Sequence, residues 1–361
     1  MSDTVYKALL TVMQKRGGSY AGMDIPEFFD MVEVLFTPEQ AAVNNALPTR
    51  PTAAVQVAEL MGRDATEIES ILESMANSGL CAAHEREGKM HYVAVPFMIG
   101  IMEFQFMRGT ATDRDKKVAQ AIDTYKKAYN AIQPRSAQKI TFPGIRVIPV
   151  DRTIDNESTV HTYNQVKSYI ENNDLITVST CYCRQEALLL GEDIHDMPME
   201  VCMSFGPGAQ FNIDRLGAQK LTKEEAMKIL DETEEAGLIH MTRNVANTNF
   251  ICNCDRWHCE AVSGMLAQPK PGKFFNSGFE PRFDPDACVA CEVCIDRCPA
   301  TALAMGDDDL PEVDLDRCFG CAACATGCPS EAIGMTATPG FPAPPKDTKA
   351  FAEAARASRE A

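Results

Sequence analysis

The sequence has few basic residues and lacks the features of several common protein classes. Its 361 residues contain 34 lysines and arginines against 51 aspartates and glutamates, which gives a formal net charge of −17. Because binding of nucleic acid depends on Lys and Arg that neutralise phosphates, this balance argues against a nucleic-acid partner. No apolar stretch approaches the ~18–20 residues that cross a bilayer, and the first residues lack the basic and apolar regions of a signal peptide. We therefore expect a cytoplasmic protein with no membrane partner.

Phosphate-binding loops and hydrolytic constellations are also missing. Neither G-x-G-x-x-G nor G-x4-G-K-[ST] occurs, so the sequence gives no support for flavin or nucleotide binding. No Ser/His/Asp arrangement stands out, and we assign no catalytic residue. The chain is rich instead in cysteine, with 15 residues. In a reducing compartment this number indicates metal ligands rather than disulfides.

Two near-identical cysteine runs lie 30 residues apart near the C-terminus. Each has the pattern C-x2-C-x2-C-x3-C-P, the ligand spacing of bacterial [4Fe–4S] sites, in which the fourth cysteine serves the other cluster. The predicted cofactors are therefore two [4Fe–4S] clusters. The first takes Cys288, Cys291, Cys294 and Cys328, and the second takes Cys318, Cys321, Cys324 and Cys298.

The residues beside the two runs repeat as well, so that the segment from Asp284 matches the segment from Asp314. One departure is Ala290, where the second run has Gly320. The repeat indicates a pseudo-twofold module of short hairpins and single-turn helices. A zinc site or a disulfide scaffold fits poorly, because zinc prefers paired C-x2-C arms on separate hairpins. Residues 281–340 closely resemble the bacterial two-[4Fe–4S] ferredoxin domain, which implies a ferredoxin-like fold and electron transfer.

A second group of cysteines is spread over three short segments in the middle of the chain. A C-x-C pair cannot span one cubane as C-x2-C-x2-C does, so the ligands of a site here must come from separate segments. A third iron–sulfur cluster, a zinc ion and thiols without metal all stay open. The predicted ligands are Cys183, Cys202, Cys254 and Cys259, with Cys181 and Cys252 as alternates.

Two other side chains carry weaker signals. His258 could replace a cysteine as a ligand, as imidazole does in Rieske centres. A lone histidine beside Trp257 is more often a packing residue, and both interpretations stay open. Cys81 lies by itself on a predicted strand, and we interpret it as a small buried hydrophobe.

The remaining pattern predicts an α+β multidomain protein. Residues 1–110 show helical spacing followed by two strand-like runs around the turn Glu85–Lys89, which is the pattern of a winged helix-turn-helix. The predicted recognition helix, Asp64–Ser78, carries acidic residues such as Glu73 and no basic residue. Because these carboxylates would repel phosphates, we expect a protein-contact or structural role for this winged-helix-like domain.

The middle of the chain, residues 111–265, is predicted to be an α+β cysteine-rich domain. The predicted elements are a helix over 113–132, a strand over Ile145–Val150, a helix over Thr159–Asn172, a strand over Leu175–Ser179 and a helix over 222–236. A linker over 266–280, the ferredoxin domain over 281–340 and a tail over 341–361 follow.

The whole chain also resembles a set of iron–sulfur proteins of anaerobes. The matching residues include Cys181-Tyr182-Cys183-Arg184, Glu200-Val201-Cys202 and Cys252-Asn253-Cys254. In those proteins a winged-helix-like start precedes a cysteine-rich middle and a two-cluster ferredoxin domain. The resemblance implies an electron-transfer component of an anaerobic redox complex.

The leading hypothesis is therefore a protein that relays single electrons through two [4Fe–4S] clusters, and through any third site, to or from a redox partner protein. It fits an electron-transfer component, or a subunit of an oxidoreductase complex, better than an enzyme. Acidic residues such as Asp307–Asp309 would steer a basic partner. Two alternatives are a redox-sensing regulator and a catalytic oxidoreductase subunit that uses the middle cysteines, with His195, His240 and His258 as candidate proton donors.

Overall fold

A computed structural model describes residues 2–137, 140–154 and 165–360. The chain forms two compact units: residues 1–134, 179–195 and 207–219 belong to the first, and residues 135–178, 196–206 and 220–361 to the second. These units divide the chain differently from the domain bounds predicted above, which stay predictions. Within the described ranges, no helix is long and apolar enough to cross a membrane.

The first unit consists mainly of helices. Its elements are α1 (Ser2–Arg16), α2 (Pro26–Leu35), α3 (Pro38–Ala46), β1 (Thr52–Ala53), α4 (Ala54–Met61), α5 (Ala65–Asn77), β2 (Ala82–Arg86), β3 (Lys89–Val93), α6 (Ile101–Phe106) and α7 (Asp113–Ile132). Two later helices, α9 (Tyr182–Leu189) and α10 (Gly206–Leu216), complete it. The predicted helix over 113–132 is confirmed with these bounds.

Side-chain caps begin several of these helices. Thr37 accepts the backbone N–H of Gln40 at the start of α3, and the Gln40 side chain accepts the N–H of Thr37 in return. Thr112 and Asp115 form the same reciprocal pair at the start of α7. Each capping box satisfies two amide groups that a helix N-terminus otherwise leaves without partners.

The predicted helix–helix–hairpin order is present after α3. Strands β1, β3 and β2 form a three-stranded antiparallel sheet in that order, and α4 and α5 lie between β1 and β2 in the chain. Glu73 of the predicted recognition helix accepts a 2.5 Å hydrogen bond from Tyr92 and pairs with Arg215 at 2.7 Å. Glu73 is thus engaged inside the unit. The winged-helix interpretation itself stays a prediction.

One continuous hydrophobic core holds the first unit together. Phe28, Leu72 and Tyr125 are fully buried in it and come from α2, α5 and α7. Cys81 lies in the same core, and burial raises the pKa of its thiol to about 12. This agrees with the interpretation of Cys81 as a small buried hydrophobe.

The second unit is built on a mixed set of strands and helices. Its first part contains β4 (Ile145–Ile148), α8 (Val166–Glu171), β5 (Ile176–Thr180), β6 (Glu200–Phe205), β7 (Gln219–Leu221), α11 (Lys223–Glu235), β8 (Ile239–Arg243), β9 (Phe250–Cys254) and α12 (Glu260–Leu266). These strands form a six-stranded sheet in the order β4-β8-β9-β6-β5-β7. The predicted helix over 159–172 is described only from Val166, and its earlier residues up to 164 lie outside the described ranges.

Helices α8 and α11 pack on one face of this sheet. Ile170 of α8 and Leu230 of α11 share a core with Ile148, Met203 and Ile251 of the strands. Because side chains alternate along a strand, the residues between these apolar positions point to the opposite face. That face carries the middle cysteines of β6 and β9.

The last part of the unit is a small module with two similar halves. It contains α13 (Gly272–Phe275), β10 (Phe279–Phe283), α14 (Val293–Asp296), β11 (Leu303–Met305), β12 (Pro311–Val313), α15 (Ala323–Thr326) and β13 (Ile333–Ala337), before the tail helix α16 (Thr348–Glu360). Strands β10 and β13 pair antiparallel, as do β11 and β12. Val150 packs against Phe279, Ala322 and Met335 and so joins the module to the rest of the second unit.

We expect Leu72→Ala to lower the free energy of unfolding of the first unit by about 2–5 kcal/mol, because it leaves a cavity in a packed core. Leu72 is fully buried on α5. Leu60→Ala on α4 is the matched control, because Leu60 is 66% exposed and its truncation should cost less than about 0.5 kcal/mol. Urea unfolding followed by far-UV circular dichroism measures both. Equal midpoints for the two variants would contradict this description of the core.

Candidate metal centres

Each half of the module wraps a cysteine-rich loop onto a single-turn helix. The residues just before α14 and α15, Glu292 and Ala322, have φ values of +60° and +70°. This left-handed step turns the chain from the loop into the helix, so that the cysteines on both sides of it point to one centre. The fourth cysteine of each run accepts a backbone N–H four residues later, and the N···Sγ distances are 3.2 Å to Cys298 and 3.3 Å to Cys328.

The first cysteine set comprises Cys288, Cys291, Cys294 and Cys328. All four line one pocket of about 320 Å³, counting its space open to solvent. The rest of the lining is largely apolar and includes Val289 and Ile333, and Glu292 is also among the lining residues. Burial raises the pKa of Cys294, and Cys328 and Cys291 add to this effect because they are close by.

The second cysteine set comprises Cys298, Cys318, Cys321 and Cys324. Burial raises the pKa of Cys318 to about 11 and that of Cys321 to about 12, and it also raises the pKa of Cys324. In all three cases the thiol of Cys298 adds to the effect, so the remote cysteine lies with the second run, as the spacing predicts. Cys294 of the first set also affects Cys324, which makes this pair the link between the sets.

The donors fit the predicted cofactor. Each set offers four thiols, the ligands that [4Fe–4S] clusters take from proteins, and the backbone N–H groups that point at sulfur would stabilise the thiolate form. Once bound, the clusters would supply one-electron chemistry. The assignment of individual ligands stays a prediction that this geometry agrees with.

The two sets differ in their exposure to solvent. Val289 in the first loop is 64% exposed, whereas Phe319 at the equivalent position of the second loop is 1% exposed. Ala290 is exposed and its counterpart Gly320 is buried. The first set therefore lies at the surface of the module, and protein covers the second.

The cover over the second loop explains the departure between the runs. Asn276 donates a hydrogen bond to the carbonyl of Cys318, and Ser277 donates to the carbonyl of Gly320 at 2.7 Å. Gly320 has a φ of +64°, and a Cβ there would overlap the carbonyl oxygen of Phe279 and lie 2.5 Å from the Ser277 hydroxyl. Ala290 has a similar φ of +52° but lies in the exposed loop. Only the covered position excludes a methyl group.

The middle cysteines of the second unit gather at the end of β9. Hydrogen bonding with Cys252 and with Cys259, followed by burial, raises the pKa of Cys254. The register that pairs Met203 with Ile251 sets Cys202 opposite Cys252 when it is continued by one residue. Cys254 thus contacts two other predicted or alternate ligands, Cys252 and Cys259, and Cys202 lies on the neighbouring strand.

The other two candidates of this group belong to the first unit. Cys181 is the N-cap residue of α9 and Cys183 lies in its first turn, and both are buried. Within residues 2–137, 140–154 and 165–360, no three His, Cys, Asp or Glu side chains surround one point as a single metal ion requires. Whether the middle cysteines hold a cluster, zinc or no metal stays open.

The segment between Cys254 and Cys259 is shaped by a side-chain turn. Asp255 accepts the backbone N–H groups of Trp257 and His258 at 2.8 and 2.6 Å. The His258 ring lies 3.3 Å from the same carboxylate, while Trp257 is 52% exposed. The turn brings Cys259 back toward β9 at the start of α12.

A chain of buried polar side chains, which the sequence analysis did not predict, lies on the opposite face of the sheet. The ring of His240 lies 2.6 Å from the Asn253 side chain and 3.4 Å from Glu234. Asn253 donates to the carbonyl of Val201 at 2.7 Å, and Glu234 pairs with Arg152 at 3.0 Å. The only available signal was the position of Asn253 between two cysteines, since alternation along a strand sends it to the other face. His240 therefore does not lie with the cysteines.

Residues 280–329 match the family model of the 4Fe-4S dicluster domain. The matched segment contains all eight cysteines of the two sets. No curated protein matches the chain. The C-terminal module is therefore a ferredoxin-like iron–sulfur domain, and this domain indicates iron–sulfur electron transfer.

We expect Gly320→Ala to destabilise the second half of the module by at least ~1–2 kcal/mol, the cost of left-handed backbone for a residue with a Cβ, with further cost from the overlap with Phe279. Ala290→Gly is the matched control; Ala290 is also left-handed, with a φ of +52°, so this change removes the same cost and should leave the module at least as stable as before. The loss of iron–sulfur absorbance along an anaerobic denaturant series measures both. If Gly320→Ala releases its clusters at the same denaturant concentration as Ala290→Gly, the cover described here is wrong.

Proposed function

We propose that this protein relays single electrons between a redox partner protein and its own interior through two [4Fe–4S] clusters, as part of an oxidoreductase system of anaerobic metabolism. The observation that carries the proposal is the grouping of eight cysteines into a surface set and a covered set within one small module. A surface site can exchange electrons with a partner, and a covered site beside it can pass them on without contact with solvent.

The residues of the module have distinct tasks in such a relay. The eight thiolates would hold the iron, and the backbone N–H groups of Ala302 and Ala332 would tune it through their bonds to sulfur. Cys294 and Cys324 connect the two sets, because their thiols are close enough to interact electrostatically. The apolar lining of the first pocket keeps water away from sulfur on one side.

We propose that the partner docks at the exposed loop of the first set. Val289 and Ala290 form an apolar centre there, and the carboxylates of Glu292 and Glu331 are exposed beside the first set. A basic partner would be drawn toward this surface, since complementary charge mainly raises the rate of association. The net charge of −17 acts in the same direction.

We also propose a third metal site at the middle cysteines. Its support is the contact of the Cys254 thiol with those of Cys252 and Cys259, with Cys202 on the next strand. Four thiols in one neighbourhood are typical ligands of zinc or of an iron–sulfur cluster. A third cluster would extend the relay, and zinc would make the site structural.

The first unit would then serve as a scaffold or as a protein-contact domain. The order of β1, α4, α5, β2 and β3 supports a winged-helix architecture. The engagement of Glu73 with Tyr92 and Arg215 supports a structural role for its α5 helix. We propose no binding to DNA.

Metal counting on anaerobically purified protein tests the cofactor proposal. Two cubanes give about eight irons and a third gives about twelve. We expect about twelve, falling to about eight in Cys254→Ser, with Cys81→Ser as the matched cysteine control that keeps all its iron. Eight irons with one zinc, the zinc being lost in Cys254→Ser, would make the middle site structural. Fewer than eight irons in the wild-type protein would contradict the proposed two-cluster relay.

Transfer to a basic protein acceptor tests the docking proposal. The dithionite-reduced protein, freed of excess reductant, is mixed with oxidised cytochrome c in an anaerobic stopped-flow instrument. We expect the second-order rate constant to fall as salt rises, and to fall about tenfold more in Glu292→Lys than in Asp231→Lys. Asp231 is an exposed residue of α11, so the two variants have the same net charge. Equal effects would mean that overall charge alone steers the encounter.

A further inference from the structure

One arginine connects the second cysteine set to the neighbouring helix of the same unit. Arg297 directly precedes Cys298, and its Nε donates to the carbonyl of Ala323 at 3.1 Å. Its Nη1 and Nη2 donate to the carbonyls of Glu235 and Glu234 at 3.0 and 2.9 Å. These carbonyls lie at the C-terminal end of α11, where helix carbonyls lack partners and attract positive charge.

Two glycines leave the space that this side chain occupies. A Cβ on Gly327 would overlap Cδ and Nε of Arg297, and a Cβ on Gly237 would approach its guanidinium to 3.4 Å. In the repeat, Gly327 is itself the equivalent of Arg297, because each residue directly precedes the fourth cysteine of its run. The module thus has an arginine in one half where the other half has no side chain. The pseudo-symmetry is broken at this position.

Two more arginines surround the same set. Arg256 donates to the carbonyl of Cys298 at 3.3 Å, and Arg317 donates to the carbonyl of Ala300 at 3.0 Å. The charge of Arg297 interacts with the thiols of Cys324 and Cys321. By contrast, the residues that line the first pocket include the acidic Glu292 and no basic residue. The carboxylates of Glu280 and Asp314 also act on Cys318, so three arginines outnumber two carboxylates at the covered set, whereas no basic residue is among those that line the exposed one.

This difference in charge changes how easily a cluster at each set can accept an electron. Reduction adds one negative charge to a cluster, and that charge is costly where protein replaces water. Water can stabilise it at the exposed first set. The covered second set needs fixed positive charge instead, and long-range fields are stronger there because the effective dielectric constant is lower.

We propose that Arg297, together with Arg256 and Arg317, keeps the covered second set reducible by raising its reduction potential independently of the first set. The inference rests on the proposed two-cluster relay and names the side chains that adjust it. Arg297 acts as a positioning residue as well, because the same guanidinium fastens the second half of the module to the end of α11.

A redox titration followed by EPR tests the inference. Arg297→Gln should make reduction of the second set at least tenfold less favourable, which is a fall of about 59 mV for a one-electron couple, while the first set keeps its potential. Cys291→Ser, which alters a ligand of the exposed set, identifies which signal belongs to which set. Arg297→Lys should retain most of the potential because it keeps the charge, and should lose thermal stability because it loses the planar set of donors.

Arg282→Gln is the matched control. Arg282 is an exposed residue of β10 in the same module, so the variant has the same net charge as Arg297→Gln. Its second-set potential should stay within a factor of about two of the wild-type equilibrium. Equal shifts in the two glutamine variants, or equal shifts of both sets in Arg297→Gln, would overturn the inference.

Two further comparisons separate a failure of this inference from a failure of the proposed relay. If Arg297→Gln loses iron, Arg256→Gln and Arg317→Gln each remove one charge from another loop and should lower the same potential. A wild-type protein that contains two clusters but gives unchanged potentials in all these variants contradicts the inference alone. A wild-type protein without two reducible clusters contradicts the proposed relay itself.

Discussion

A thiolate that is buried away from water must be stabilised by amide protons, positive charge or a metal ion, and the organisation of the second unit depends on this requirement. The structure gives the covered cysteines the first two of these, and a bound cluster would supply the third. Backbone N–H groups point at their sulfur atoms, and arginines bind the carbonyls around them. The segment around Ser277 covers the loop of Gly320 and excludes solvent from it. The thiolates of the covered set therefore need stabilisation by protein groups. The packing of the module therefore determines which charged and polar groups must stabilise its cysteines.

The repeat shows how similar sequences acquire different environments. The two runs share their cysteine spacing, yet one loop carries Val289 at the surface and the other carries Phe319 in the interior. The differences between the halves are small in sequence: Ala290 against Gly320, and Arg297 against Gly327. Each is explained by what covers the chain at that point. The two halves of a pseudo-twofold module differ in their exposure to solvent when only one of them is packed against the rest of the protein.

Local patterns allowed the most reliable predictions from sequence. The twin cysteine runs bring their own ligands together within a few residues, so their grouping needs no knowledge of the remaining fold. The helix predicted over 222–236 corresponds to α11, and Thr222 and Glu225 form a capping box at its start. Non-local features could not be predicted in this way. The contact of Arg297 with the end of α11 joins residues more than sixty positions apart, and no pattern in either segment indicates the other.

The pairing of strands likewise could not be predicted from local sequence patterns. The register of β8 and β9 brings His240 opposite Asn253 and sends both away from the cysteines. His240 and His258, two of the candidate proton donors, therefore have different surroundings: His240 contacts Asn253 and Glu234, and His258 contacts Asp255. The same limit applies to the middle cysteines: their spacing indicated that ligands must be pooled, but only the β6–β9 register sets Cys202 opposite Cys252.

Trp257 gives the protein a natural optical label. It is the single tryptophan of the chain, it is 52% exposed, and it lies within the short turn that Asp255 forms between Cys254 and Cys259. Its emission consequently reports on the surroundings of this turn, which include the covered set because Arg256 donates to the carbonyl of Cys298. Iron–sulfur clusters absorb broadly and quench nearby fluorophores, whereas zinc has a filled d shell and no redox chemistry. The intensity of a single fluorescence band therefore follows the iron–sulfur content around this turn while the protein remains folded.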